Sequence, residues 1–541
     1  MFCARRLWHS TVSTATLRPK APKYLQIALH KDLSAAVQEQ QPRAVLAIFS
    51  RFVKHVEQAD VADVDATLNA LVKSIRPSSS PGVQEDGQTG SAELEENELQ
   101  PLLSSVEDTL NNCDSAEGDA ERVINNLAWA LASLHGESRQ ELKARVRSLF
   151  QKVQEISHRM LETHTANHLS RLGWAVARMN LGGPGEAQLL QDLGDAALKH
   201  KAQWSAQDVS LFTWSFATLQ TWHPVLHEVR VAALRQGRSN LQNFGEQDLS
   251  NFTWGLAKLQ IRDQELMKMV GKEVEAKLFE FSHMGLVCTI WGFASLRLAT
   301  PFLSRALDHI RASNVRMTPK DSTMLLWSMA TLRHDTQREL LYHHVADHVI
   351  VPGASQFQAQ DVSICLWAFC TARVDHPRVF RALVAQIAER EMTTSFTSQA
   401  LANATWACAK MRAEATQMVK LATQEALRRP MRDWSPQAIV TLIWSSSEAQ
   451  MPAVELLIAM LPELQRRPQA FNDRDLASLV YALKEALWPL EHAESRRTVL
   501  KCVSQEISRR HLPATVKMFK FLRSPPAAAT KSRAQAQPRM T

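Results

Sequence analysis

The sequence predicts an all-α protein, an α-solenoid of about ten helical-hairpin repeats of about 38 residues. Three observations predict it. The amphipathic stretch "QDVSLFTWSFATLQ" (Gln207–Gln220) returns forty residues later as "QDLSNFTWGLAKLQ" (Gln247–Gln260). Aligned on their central aromatic, ten segments share the pattern: Trp129, Trp174, Trp214, Trp254, Trp291, Trp327, Trp367, Trp406, Trp444 and Tyr481, spaced 45, 40, 40, 37, 36, 40, 39, 38 and 37 residues apart. Nine of the 14 tryptophans fall on that register, which chance does not supply. Composition agrees, since 17 Gly and 3 Tyr in 541 residues, among abundant Ala, Leu, Gln and Arg, favour helix over sheet. A period of this size marks stacked hairpins, each burying its apolar faces on its neighbours.

Residues 1–25 read as an organellar presequence. Arg5, Arg6, Arg18, Lys20 and Lys23 stand among Ser and Thr, the first acid is Asp32, and no apolar secretory core is present. That points to the mitochondrial matrix, with a plastid as the alternative. Residues 26–76 hold helical patterns such as "DVDATLNALVKSI" (Asp63–Ile75). Residues 77–120 contain 11 acids and no Lys or Arg, are rich in Ser and Gly, and read as a disordered acidic linker. The array occupies 121–522, and 523–541 reads as a disordered basic tail.

The net charge of +7 does not by itself indicate nucleic acid. Residues 121–500 carry 42 basic and 37 acidic side chains, so the array is nearly neutral and the basic excess sits at the chain ends. No apolar run approaches membrane-spanning length. Seven cysteines without a C-x-x-C pair argue against structural zinc and a disulfide framework.

Each repeat has room for two helices. Helix A carries the aromatic and opens on a capping residue such as Ser205, Thr318, Ser398, Ser435 or Asn472. Helix B follows, and Pro224 and Pro377 suit its first turn. With the Trp at position 0, positions −5, −2, +2 and +5 form an apolar stripe opposite it. The Trp has small neighbours at −4 and +3, so it is expected to fill space between repeats rather than offer a stacking platform for bases.

Positions −7, −3, +1 and +4 form the candidate binding face. Position +1 is always Ala, Gly or Ser, which suggests a groove floor open to a partner. The candidate RNA-binding residues are Asn126, Asn167, Arg171, Arg178, Gln207, Thr218, Gln247, Asn251, Lys258, Lys320, Thr331, Gln360, Gln399, Asn403, Lys410, Gln437 and Arg474. Amides and cations of this kind hydrogen-bond base edges and phosphates. The plain alternative is a solvated helix face. At +6, Arg297, Arg333, Arg373 and Arg412 form a candidate phosphate track, or else pair favourably with the helix dipole.

The tandem unit, with "LLWSMATL"-type first helices, resembles the octotricopeptide repeat family and is similar to the leucine-rich region of FAST-kinase-like mitochondrial proteins. The resemblance covers Val123 to about Leu500. It implies an organellar RNA-binding solenoid acting in transcript stability, processing, ribosomal RNA maturation or translation. It also implies messenger or ribosomal RNA as partner, with ribonucleoprotein or ribosome-assembly proteins. Many such proteins end in a nuclease-like RAP domain. About forty residues follow the last repeat here and read as a helix and tail, so nuclease activity is not carried over.

No catalytic constellation, cofactor motif or metal set is expected. His344 and His348 have i, i+4 spacing but no accompanying base or third ligand. Cys365 and Cys370 fall on an apolar helix side, and "LGGPGEA" (Leu181–Ala187) lacks the Lys-Ser/Thr of a phosphate loop. The sequence thus favours a non-catalytic organellar RNA binder, with a protein-binding scaffold as the alternative.

Overall fold

The computed structural model describes residues 23–39, 41–53, 61–75, 96–111, 120–137, 140–180, 182, 184–235, 237, 240–298, 302–312, 317–333, 337–485 and 492–510. Most of the presequence, much of the acidic linker and the whole basic tail lie outside the described residues. Among those described, every regular element is a helix, as the pattern predicts. The helices gather into two compact units, residues 1–315 and 316–541.

In the first unit the A helices are Ala120–Glu137, Ala166–Met179, Ala206–Thr218, Glu246–Lys258 and His283–Leu296. In the second they are Pro319–Leu332, Ala359–Ala372, Ser398–Met411, Pro436–Glu448 and Asp473–Glu485. Within each unit every A helix lies against the next, and the B helices form a second layer behind them. One B helix is irregular: Arg338–Val345 runs on through a π turn, Ala346–Ile350, into Val351–Gly353.

The array starts earlier than the aromatic register shows. Lys23–Gln38 pairs with Pro42–Val53, and Val61–Ile75 with Glu96–Asn111, as two further hairpins. Val61–Ile75 rests directly on the Trp129 helix. Its burial pattern puts half-buried Asn69 where later repeats carry Trp. Glu96–Asn111 corrects the expectation of a disordered linker over 77–120. Acidic composition hides a stripe of Leu99, Leu102, Leu103, Val106 and Leu110, all buried at helical spacing. Glu107 ties this helix to Gln140–Arg159, accepting a 2.7 Å hydrogen bond from Lys152 Nζ and pairing with Arg145. The Lys152 hydrogen bond, aided by Arg145, lowers the Glu107 pKa against the opposing effect of desolvation.

Two devices join successive repeats. The first is between A helices. Ser170 Oγ donates to Asp208 Oδ1 at 2.6 Å, and Ser210 Oγ to Asp248 Oδ1 at 3.0 Å. Asp208 also caps its own helix, accepting from the Ser205 backbone N–H at 2.8 Å while Ser205 Oγ accepts from the Asp208 N–H at 3.2 Å. One carboxylate therefore serves a cap and an inter-repeat contact together. Burial pushes the Asp248 carboxyl above its ordinary range.

The second device ends helix B. In "EALRR", "ELQRR" and "EISRR" the last Arg folds back on Glu425, Glu463 or Glu506 and also reaches carbonyls of the turn that links the preceding helix B to its own helix A. Arg429 donates to Phe396 O at 2.9 Å and Thr393 O at 2.7 Å. Arg467 reaches Trp434 O and Arg510 reaches Pro468 O, both at 3.4 Å. Lys277 and Arg390 make the same kind of reach to Phe244 and Phe357. These five basic side chains are thus structural.

The caps at Ser205, Thr318 and Ser435 form as expected, and Asn472 exchanges cap bonds with Asp475. At Ser398 the cap is one residue earlier, where Thr397 Oγ1 accepts from the Ala400 N–H at 3.2 Å. Cys365 and Cys370 are buried, and desolvation pushes their thiols up to about 12 and about 11. Among the described residues no helix is long and apolar enough to cross a membrane.

Candidate nucleic-acid interface

Side-chain exposure defines the outward face of the A helices, and it corrects two sequence expectations. The register tryptophans do not fill the core. Trp129, Trp214, Trp254, Trp291, Trp327, Trp367, Trp406 and Trp444 are half-buried, and only Trp174 is buried, at 8% exposure. Among the described residues the large fully buried tryptophans are Trp204 and Trp434, which lie off the register in the turn before helix A. The same turn supplies Phe244, Phe281, Phe357, Phe396 and Phe471 in other repeats, all buried. This is the aromatic row that builds the core, and its spacing of ten residues before seven of the ten register aromatics is visible in the sequence.

Position +1 is not a groove floor. Ala130, Ala175, Ser215, Gly255, Gly292, Ser328, Ala368, Ala407, Ser445 and Ala482 are all buried. A Cβ on Gly255 would lie 2.7 Å from Thr213 Cγ2 and 2.9 Å from Thr213 O. On Gly292 it would meet Thr253 Cγ2 at 2.5 Å. Small residues stand here because neighbouring A helices touch through this position.

Helical geometry explains both corrections. At 100° per residue, positions −7, −3 and +4 fall about 20°, 60° and 40° from the Trp, whereas +1 falls about 100° away. The true outward face is therefore −7, −3, 0 and +4, with the aromatic in its middle.

The candidate residues sit on that face. Asn126, Asn167, Arg171, Arg178, Gln207, Thr218, Gln247, Asn251, Thr331, Gln399 and Asn403 are half-buried, while Lys258, Lys320, Gln360, Lys410, Gln437 and Arg474 are exposed. Several meet. Gln247 Nε2 donates to Asn251 Oδ1 at 3.1 Å, and Gln399 Nε2 to Asn403 Oδ1 at 2.9 Å. Arg171 Nη2 donates to Asn126 Oδ1 of the preceding repeat at 3.5 Å. The aromatics form a ladder in the first unit, where the Trp174, Trp214 and Trp254 ring centres are 6.1 and 6.0 Å apart. Lys410 Nζ stands 5.9 Å from the Trp444 ring centre in the second unit. Each unit thus offers a row of half-exposed aromatics edged by amides and cations, a combination suited to base stacking with polar readout.

The +6 row has a backbone signature that the sequence does not announce. Asn180, Gln220, Gln260, Arg297, Arg333, Arg373, Arg412 and Gln450 all have positive φ, between 41° and 57°, just past the end of helix A. All eight are exposed. Helices commonly end in this left-handed conformation, and glycine is the usual residue there.

A family model described as RNA-editing substrate-binding complex 6 protein matches residues 229–485, just under half of the chain. This stretch contains the register aromatics from Trp254 to Tyr481. The chain is therefore similar to an RNA-associated helical-repeat family, and the match is not to the octotricopeptide or FAST-kinase-like repeats it resembles by pattern. No curated protein matches the chain by sequence. Among solved structures, a chain titled "Homology model of the full-length AP-3 complex in an intermediate open conformation" aligns at 10% identity. The alignment covers 90% of this chain and 87% of that one, with a TM-score of 0.23, too low to carry any structural argument.

Proposed function

We propose that this protein is a non-catalytic RNA-binding solenoid that works within a ribonucleoprotein complex of the mitochondrial matrix. The observation that carries the reading is the outward face of the A helices. Half-exposed tryptophans stand in register there, with Asn, Gln and Lys on either side of them. Aromatic rings stack on bases regardless of sequence, and amides beside them read base edges. The description of the matching family, a component of an RNA-editing substrate-binding complex, supports RNA processing as the setting and ribonucleoprotein subunits as partners. The basic, hydroxyl-rich N-terminus supports the mitochondrial address, with a plastid as the other organelle. Within this reading the chain acts in the processing, stability, ribosomal maturation or translation of messenger or ribosomal RNA, as octotricopeptide-like and FAST-kinase-like repeats imply.

The near-neutral charge of residues 121–500 favours a second reading, a protein-binding scaffold in an organellar complex. Half-exposed tryptophans also anchor protein interfaces.

Binding of single-stranded RNA by the full chain separates them. The RNA reading expects affinity that falls steeply with salt and is lost when Asn251, Lys258, Asn403 and Lys410 are replaced together. A chain that binds no RNA at low salt rejects it. Crosslinking in the organelle then identifies the transcript.

A further inference from the structure

The residue just past the end of eight of the A helices carries a contradiction. Left-handed backbone favours glycine, yet none of the eight such C-terminal positions on the Trp-register helices is glycine, and Arg297, Arg333, Arg373 and Arg412 occupy four successive repeats. Attraction to the helix dipole does not account for this choice. A cation anywhere in the last turn gains that attraction without adopting a disfavoured backbone conformation. Nor do these arginines stitch repeats together. Arg429, Arg467 and Arg510 at the ends of B helices each hold a glutamate. By contrast, among the described residues no side-chain hydrogen bond or ion pair engages the four A-helix guanidinium groups. They are exposed cations, fixed at the backbone by an unfavourable conformation and without an anionic partner among the described residues.

Their place in the fold suggests the anion. They stand at the C-terminal ends of the helices whose middle carries the aromatic row, two residues beyond the position of Lys258 and Lys410. A strand lying across the A helices of a unit would meet amides toward the helix N-termini, aromatics in the middle and cations at the C-terminal edge. The helix C-terminus is itself electronegative, so a polyanion passing there needs a cation from each repeat to offset it.

Resting on the RNA reading, we propose that Arg333, Arg373 and Arg412 bind the phosphodiester backbone of single-stranded RNA along one edge of the second unit's A-helix face. Arg297 does the same for the first unit. The bases then turn toward the aromatics and amides, which fixes how the strand lies across the helices. Guanidinium groups suit this task because they are always charged and can bind phosphate through two parallel hydrogen bonds.

The test measures binding of the full chain to labelled single-stranded RNAs of several sequences over a series of salt concentrations. Replacing Arg333, Arg373 and Arg412 together by Gln uses a residue the protein itself places at this position in other repeats. Each lost phosphate contact on a single strand lowers the slope of log K against log salt by about 0.7, so the slope should fall by about 2, equally for every RNA sequence. Lys at the three positions should keep the slope. Gly should lose it while keeping or raising the thermal midpoint, because Gly suits the left-handed backbone. A wild-type slope in the Gln variant, or a lowered midpoint with unchanged RNA binding in the Gly variant, overturns the proposal and leaves the RNA reading standing. Failure of the wild-type chain to bind any RNA removes both.

Discussion

Lys258 holds its ammonium 5.5 Å from the ring centres of both Trp254 and Trp291, so one cation spans two successive repeats. An exposed cation–π contact contributes roughly 0.5–1 kcal/mol. Lys258→Met keeps the stem and removes the charge. Thermal unfolding of this variant should change little, by about 1 kcal/mol or less. RNA affinity should fall, and the salt slope should drop by about 0.7 if the ammonium also meets a phosphate. Tryptophan fluorescence supplies an independent check, since removing the cation alters the surroundings of two indoles at once.

Trp204 and Trp214 are ten residues apart and have opposite jobs. Trp204 is 1% exposed and donates its indole N–H to Ala197 O at 3.2 Å, whereas Trp214 is half-buried on the ladder. Trp204→Ala should cost about 3–5 kcal/mol of stability, the usual loss for a fully buried large aromatic. Trp214→Ala should cost distinctly less, because part of its surface already faces water. It should instead weaken single-stranded RNA binding by about 1–3 kcal/mol, the worth of one base stack. Chemical denaturation and RNA titration of the two variants should therefore rank them in opposite order.

Gly292→Ala tests the correction at position +1. If this residue lined an open groove, an added methyl would leave stability unchanged or raise it through helix propensity, by up to about 1 kcal/mol. The structure instead puts the new Cβ within 2.5 Å of Thr253 Cγ2 and 3.0 Å of Thr253 O. Overpacking of this kind costs about 1–3 kcal/mol. The variant should unfold at a lower denaturant concentration, and pairing it with Thr253→Ser should recover part of the loss.

The hairpin repeat was legible because its aromatic register recurs at a nearly fixed spacing, and the structure keeps every one of those A helices. The role of the aromatic was misread because small neighbours suggested a core. Small residues at +1 do mark a tight contact, but it is the contact between adjacent A helices, and it lies about 100° around from the Trp. Residues 26–76 read as helical but not as part of the array, because Asn69 replaces the aromatic, and the Glu96–Asn111 helix was hidden because acids surround the Leu99–Leu110 stripe. The left-handed residues at +6 could not be read from local sequence, since Arg and Gln give no sign of positive φ. The division at 315–316 likewise leaves the aromatic spacing undisturbed, at 36 residues between Trp291 and Trp327.

The B-helix clamp makes the acid limit of stability predictable. Glu506 accepts from Arg509 Nη2 at 2.6 Å and from Arg510 Nε at 2.7 Å, and Arg510 also pairs with Asp473. The hydrogen bond from Arg509, reinforced by Arg510, draws the Glu506 pKa from its ordinary 4.5 down to about 2. A carboxyl whose folded pKa lies below its unfolded one stabilises the fold fully above the unfolded value. That contribution is lost as pH falls from about 4.5 toward 2. Glu425 and Glu463 have pKa values lowered by the same kind of arginine pairing, so the three clamps weaken together in acid. Denaturant unfolding of wild type and Glu506→Gln should show a stability gap that is constant from pH 7 to about 5 and closes progressively below 4.5. A gap that stays constant down to pH 2.5 would show that the carboxylate charge contributes nothing to holding the last hairpin.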